Sequence, residues 1–425
     1  MKLSHLSSEN ANLYLQRYAH PLILIDEPPS TSLGIVVVIP CYNEPHLIDA
    51  LNSLYQCQPV NENVEIIVVI NQPRDCSSSI KEQNKNSYQQ ALEWTSTHNS
   101  KQLMFHVVYA DDLPPKDAGV GLARKIGMDE AVRRFDQLNN HQQGIIVGFD
   151  ADCTTAPNYF KEILNLFRQH RQVNGCSIFF EHTLDNYDSI KTTNAIVLYE
   201  IHLRYYIHAL RFAGFPYAYQ TLGSCMAVRS SVYQKQGGMN KRKAGEDFYF
   251  LNKIIALGNF VELNTTTVYP SGRASDRVPF GTGKAVKDQL QGRNISTYHP
   301  AIFQDLQKFI SSNNQFFKTT SVNVNNILSQ LPKSVQTYLE KVQFINVLQE
   351  INHNCARLNT FQQKFFQWFN GLKVLQYIHH SRDHFYANLK VEEAAYWLLK
   401  EKFNINVANS DPREILTLWR KIDRS

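Results

Sequence analysis

Four apolar runs, each closing on a polar or acidic cluster, set the rhythm of the first third of the chain. After Gly34 the run Ile35–Ile39 (IVVVI) is β-branched throughout, the pattern of a strand buried on both faces of a parallel sheet. Pro40 is expected to end it. Pro45 then opens a predicted helix with Leu47, Ala50, Leu51, Leu54 and Tyr55 at helical spacing. Residues 64–73 (VEIIVVINQP) predict a second buried strand, 103–110 (LMFHVVYA) a third and 144–149 (GIIVGF) a fourth. A polar helical stretch separates the second from the third, and a helix over 119–138 separates the third from the fourth. Such alternation with short connections predicts an open α/β sheet, whose ligand crevice lies beyond the carboxyl ends of the strands. Those ends carry Pro40–Glu44, Asn71–Asp75, Asp111–Asp117 and Asp150–Asp152.

Past Asp152 the alternation weakens. The pattern predicts a helix at Tyr159–His170, a strand over 175–182 and a long aromatic helix near 189–213. A Gly-Ser turn with a strand (Gly223–Val228), a Gly-rich turn (Gly237–Gly238), a helix from Glu246 to Leu257, a strand over 260–264 and a loop over 269–286 follow. Residues 311–326, low in charge and rich in Ser and Asn, read as a linker or surface segment. Helices are expected beyond, one with an apolar face marked by Phe361, Phe365, Phe366, Phe369, Leu372 and Leu375. Asp411, Pro412 and Glu414 form a helix start with cap, first-turn proline and capping box. The organisation expected is an N-terminal extension (1–33), an α/β domain (34–290) and a helical C-terminal region (291–425).

Composition adds limits. The 425 residues suffice for a sizeable core, and 43% hydrophobic with 19% charged is ordinary for a soluble globular protein. A net charge of +5 does not argue for nucleic acid as a partner. Seven scattered cysteines without a C-x-x-C suit reduced thiols in a cytoplasmic protein. The N-terminus lacks the apolar stretch of a signal peptide. No apolar run approaches the ~20 residues of a membrane span; residues 195–215 come nearest and are interrupted by Glu200, His202, Arg204, His208 and Arg211. Peripheral contact with a membrane surface is compatible with that helix.

Asp150 and Asp152 stand one residue apart at the mouth of the fourth strand, with no Lys or Arg nearby in sequence. In an extended chain, residues i and i+2 point the same way. Two convergent carboxylates suit Mg²⁺ or Mn²⁺, hard cations that commonly bridge to substrate phosphates; a turn and helix cap is the structural alternative. The segment DAGVGLARKIG (117–127) brings Gly121, Arg124 and Lys125 to a helix start, where amides and cations can meet phosphate or a nucleobase. Glu246 and Asp247 open another helix, whose dipole favours an ionised carboxylate able to accept a proton. There is no G-x-G-x-x-G after the first strand and no Walker A sequence, which disfavours a dinucleotide-binding or P-loop site.

Taken in order, IVVVIPCYNE, VEIIVVIN, G-x-G-x-ARK-x-G, FDADC and GSCMAVR…GGMN…GEDFYF resemble a nucleotide-diphospho-sugar glycosyltransferase of the GT-A fold, family 2 type, over roughly residues 34–285. The resemblance implies a Rossmann-like, mostly parallel sheet flanked by helices, and a hexosyltransferase-like activity using Mn²⁺ or Mg²⁺. It implies a nucleotide-sugar donor and a carbohydrate or lipid-linked acceptor. It assigns metal and donor binding to Asp150 and Asp152, the general base to the Glu246–Asp247 pair with Asp247 preferred, nucleotide contacts to Pro40, Tyr42 and Glu44, and sugar contacts to Gly223 and Ser224. Where the family usually carries a base-reading aspartate the chain has Asn71, with Asp75 and Asp117 as candidate substitutes. The Gln-x-x-Arg-Trp signature of processive members is absent, QLQGRN (289–294) being unlike it, so transfer of a single sugar is expected. Arg273, Arg277 and Lys284 are candidates for a loop that folds over the phosphates. Two rivals stand beside this reading. A nucleotidyltransferase would need a Gly-rich basic loop where PCYNEPH stands, and a catalytically silent sugar-binding or scaffold protein would not need the three aspartates.

Overall fold

In the computed structural model, which describes residues 12–21, 23–140, 143–185, 189–275, 281–407 and 411–425, a short helix, α1 (Leu13–Arg17), precedes the sheet. β1 (Leu33–Cys41) is buried at every position. There follow α2 (Leu47–Tyr55), β2 (Asn63–Pro73), α3 (Ser78–His98), β3 (Leu103–Leu113), α4 (Val120–Gln137) and β4 (Ile145–Gly148). β1 lies between β2 and β4 with β3 outside β2, all parallel. Successive β1 residues serve opposite faces. Ile35, Val37 and Ile39 pack with Leu47, Leu51 and Leu54 of α2; Val36 and Val38 pack with Leu122 and Ile126 of α4. Gly127 lets α4 lie close on the sheet, because a Cβ there would fall 2.5 Å from a Val38 methyl. Pro40 does not end β1 as expected; it stays in the ladder opposite Val69, one residue before the strand stops.

The second half adds β5 (Thr154–Thr155), α5 (Tyr159–Gln169), β6 (Gly175–Phe180), α6 (Ile190–Phe212), β7 (Met226–Arg229), α7 (Ser230–Lys235), α8 (Glu246–Ile255) and β8 (Phe260–Tyr269). The strand order is β3-β2-β1-β4-β7-β6-β8-β5. β7 runs antiparallel to both β4 and β6, while β6 and β8 are parallel. The result is a mostly parallel eight-stranded sheet with helices on both faces, the architecture the resemblance implies.

The remainder is helical: α9 (Thr282–Leu290), α10 (Pro300–Ser311), α11 (Ser321–Gln330), α12 (Lys333–Lys341), α13 (Phe344–His353), α14 (Leu358–Trp368), α15 (Gly371–His384), α16 (Val391–Phe403) and α17 (Pro412–Arg424). A two-stranded ribbon, β9 (Ser296–Thr297) with β10 (Leu389–Lys390), joins the segment before α10 to the segment before α16. The Ser- and Asn-rich stretch over 311–326 is a largely exposed surface segment with helical structure rather than a linker. Its polar residues act as local caps, as when Thr320 Oγ1 accepts from Asn323 N, while Phe316 is fully buried. α6 and these helices share one core, with Ile201, Tyr205 and Leu210 packed among Phe303, Phe309, Leu398 and Trp419. Asp411 caps α17 by accepting from Arg413 N at 3.0 Å. Arg420 of α17 reaches both Glu200 oxygens at 2.8 Å and the His182 carbonyl at 2.8 Å. Arg204 also bonds Glu200, and Asp423 pairs with Arg204 and with His208. Burial opposes ionisation of Glu200, but Arg204, Arg420 and His182 outweigh it and hold its carboxyl well below the usual range. Among the described residues no helix is long and apolar enough to cross a membrane.

Candidate active site

Gly245 enters α8 with φ +69°, a left-handed turn that glycine adopts without strain. The turn sets Glu246 and Asp247 in the first turn of α8. From there the two carboxylates part. Glu246 is buried and accepts from Arg124 Nε at 2.9 Å. Asp247 is half-buried and accepts from backbone instead, Gly223 N at 2.9 Å and Phe248 N at 2.7 Å. Burial, then the charge of Glu246, pushes the Asp247 carboxyl up to about 7, against Arg124 and the two backbone donors. A carboxyl that titrates near neutrality suits proton abstraction.

Arg124 is the hub of the site. It rises from α4 with 3% of its surface exposed and meets Asp150 Oδ1 at 2.6 Å, Glu246 Oε1 at 2.9 Å and the Gly223 carbonyl at 2.9 Å. Burial works against its charge, but Asp150, Glu246 and Asp247 outweigh that and keep it protonated. Gly223 has no room for a side chain, since a Cβ would lie 2.4 Å from Arg124 Nη2. Its N–H serves Asp247 and its carbonyl serves Arg124, so the backbone of one residue couples both.

The acidic pair thus has a cation after all, supplied from 26 residues upstream. Asp150 and Asp152 converge through a turn, closed by Cys153 N to the Asp150 carbonyl at 3.1 Å, and not through the extended geometry expected. One ligand atom each of Asp150, Asp152 and Cys153 lie within 4.8 Å of one another. Burial, then Asp152 and Asp150, raise the Cys153 thiol well above its ordinary range, so it remains protonated. The donors suited to a cation are therefore two hard carboxylates, a fit for Mg²⁺ or Mn²⁺. Asp152, Thr154, Asp185, Tyr269 and Ser271 line an open cleft beside them.

At the β1 end, Asn43 is left-handed (φ +49°) and its N–H donates to Asn84 Oδ1 at 2.8 Å. Asn84 also donates to Gln72 Oε1 at 3.0 Å, and Ser87 Oγ donates to the Glu44 carbonyl at 2.9 Å. Two residues of α3 thereby brace the ends of β1 and β2, a role invisible in what reads as a polar helix. Their signal is the spacing of the small buried residues Asn84, Ser87, Ala91 and Thr95. Pro40 is buried, Tyr42 is half-buried and Glu44 fully buried. Arg273 pairs with Glu44, which draws the loop after β8 over the β1 end. Asn71 is 2% exposed at the end of β2, and its Oδ1 has no partner among the described residues. Asp75 is exposed and Asp117 half-buried. Ser224 is buried against Cys225, 3.4 Å between Oγ and Sγ.

Several expected contacts lie elsewhere. Lys125 turns away from the hub, binding Asp129 at 2.9 Å and Tyr14 OH at 3.3 Å, because the next helical position points some 100° round the axis. Gly121 serves packing, since a Cβ would meet the Arg242 carbonyl at 2.3 Å. Lys284 pairs with Asp288 of its own helix. Arg277 lies outside the described residues. Of the tyrosines on α6, Tyr205 is core, edge-on to Phe303. Tyr199 is pushed up to about 12, by burial first and then by the charge of Asp247.

Among solved structures the chain is similar to S. aureus TarS 1–349 in complex with UDP-GlcNAc, at 12% identity over 79% of this chain and 91% of that chain, TM-score 0.41. It is also similar to glucosyl-3-phosphoglycerate synthase from Mycobacterium tuberculosis in complex with Mn²⁺, UDP-glucose and phosphoglyceric acid, at 14% identity over 63% of this chain and 85% of that one, TM-score 0.34. No curated protein matches. A family model described as "Glycosyltransferase like family 2" matches residues 32–258, the span from β1 through α8 that holds Arg124, Asp150, Gly223, Glu246 and Asp247. The chain belongs to that family and is a glycosyltransferase.

Proposed function

We propose that the protein moves a single sugar from a nucleotide-diphosphate donor to an acceptor hydroxyl, with inversion at the anomeric carbon. The observation that carries this reading is the Arg124 hub, which links a near-neutral carboxyl, Asp247, through the backbone of Gly223 to Asp150 of the acidic pair. Asp247 takes the proton of the acceptor hydroxyl. That oxygen attacks C1 from the face opposite the diphosphate, and the electron pair of the breaking C1–O bond leaves with the diphosphate. Asp150 and Asp152 are the residues to hold Mg²⁺ or Mn²⁺, which when bound supplies Lewis-acid stabilisation to a departing diphosphate. Glu246 acts as counter-ion to Arg124 and raises the basicity of Asp247 by like charge. The unsatisfied Asn71 Oδ1 suits an N–H on the edge of a nucleobase. Single transfer rests on the missing processive signature.

Incubation with a panel of sugar nucleotides and Mn²⁺ tests the reading. Slow donor hydrolysis, and calorimetric donor binding that needs Mn²⁺ and weakens about tenfold or more in Asp152→Asn, are expected. Hydrolysis of no donor, or formation of a sugar nucleotide from a sugar phosphate, would remove it.

A further inference from the structure

A second cavity opens beside the Gly223–Asp247 hydrogen bond. It measures about 160 Å³, close to the roughly 150 Å³ of an apolar cavity that accepts benzene. Ile207, Leu210 and Phe215 are buried at its floor, and the half-buried rings of Tyr206, Tyr217 and Phe248 stand at its rim. Two observations tie it to the site. Leu222 and Phe248, both in its lining, are the chain neighbours of Gly223 and Asp247, which are hydrogen-bonded to each other. Its wall is completed by the helical C-terminal region: Tyr217 packs edge-on against Phe366 of α14, and Gly371 at the start of α15 presses on Asn252 of α8 so closely that a Cβ would lie 2.1 Å from Asn252 Oδ1.

Charge decides what it can hold. None of the lining residues is charged, so an ionic group entering would lose its water without gaining a counter-ion. A neutral ring gains aromatic and aliphatic contact on its faces, with the Tyr hydroxyls, Gln220 and Thr221 available for one polar edge.

We propose that this cavity seats a neutral, ring-sized apolar group of the acceptor, so that the hydroxyl to be glycosylated is presented to Asp247. The inference rests on the transfer reading and names its acceptor class: molecules with an uncharged ring or compact aglycone beside the reacting hydroxyl. Both parts of the chain then shape specificity, since α6, α8 and the segment between α6 and β7 line the cavity, Gly371 of α15 closes it, and Phe366 of α14 backs Tyr217 from behind.

Saturation-transfer NMR on the full chain with phenol, cyclohexanol and benzoate tests it. Phenol and cyclohexanol should bind, and benzoate about tenfold or more weakly. Leu203→Trp, which fills the cavity from α6, should abolish the phenol signal; if that variant does not fold, Thr221→Trp fills it from the segment between α6 and β7. Benzoate binding as well as phenol, or phenol binding that survives a folded filling variant, overturns the proposal. The two readings fail separately. Wild-type protein that hydrolyses a donor but binds neither neutral ring loses the cavity and keeps the transfer chemistry. Phenol seated in the cavity of a protein that hydrolyses no donor upholds the site and removes its role as an acceptor seat.

Discussion

Replacing Asp247 by Asn should silence the protein and, as pH rises, shift its stability relative to wild type in favour of Asn. A buried carboxyl raised from 3.8 to about 7 binds its proton more tightly folded than unfolded. Between those two values the native state holds more protons than the unfolded chain, so wild-type stability falls as pH rises through that window. Asn has no such slope. Fully expressed, a shift of ~3 units is worth ~4 kcal/mol. Partial exposure, and the shared field of Glu246 and Arg124, reduce the expectation to ~1–2 kcal/mol. Asn also costs something at every pH, because its amide opposes one of the two backbone N–H groups that Asp247 accepts, Gly223 or Phe248. That cost does not vary with pH. The diagnostic quantity is therefore the change in the stability difference between variant and wild type, read by urea unfolding at about pH 5 and about pH 8. The difference should move in favour of Asn by ~1–2 kcal/mol across that interval, while transfer falls by ~10²–10⁴. A difference that stays flat, or transfer within about tenfold of wild type, would refute the assignment of Asp247 as a near-neutral base.

Three further outcomes follow from the same geometry. Glu246→Gln keeps an acceptor for Arg124 but removes the like charge beside Asp247, so the acid limb of the pH–rate profile should move down, by on the order of one pH unit. An unmoved limb would mean the two carboxylates do not couple. Gly223→Ala drives a methyl into the Arg124 guanidinium and should lower kcat by ~10² or more with the fold retained by circular dichroism. Arg420→Ala leaves Glu200 short of a buried partner and should destabilise the protein by ~3–5 kcal/mol in urea unfolding, with Arg420→Lys recovering only part of it.

The sheet was readable because buried parallel strands announce themselves: Ile35–Ile39 and Val64–Ile70 are buried without a break, and few other structures use such runs. The acidic positions at the strand ends were readable for the same reason, since sheet topology dictates where they fall. What escaped was pairing across the chain. Nothing local ties Arg124 to Asp150 and Glu246, which lie 26 and 122 residues away, and Lys125 beside it looks equally suited until the helix assigns each a direction. The bracing by Asn84 and Ser87 was hidden for a related reason: small polar residues on a polar helix carry no apolar period, although they are the buried face of α3. The 311–326 stretch left linker and surface segment open because Ser and Asn favour caps and turns as much as open loops, and the burial of Phe316 decides for the packed surface segment.

The clasp between α17 and Glu200 fixes a timetable. Glu200 and Arg420 stand 220 positions apart. At ~5–20 residues per second, a ribosome needs roughly 10–45 s to travel from one to the other. Throughout that interval the nascent α6 carries a glutamate meant for burial and an apolar flank whose covering helices have yet to be made. Chaperone occupancy during synthesis should accordingly concentrate on the emerging α6 and decline once α17 clears the exit tunnel.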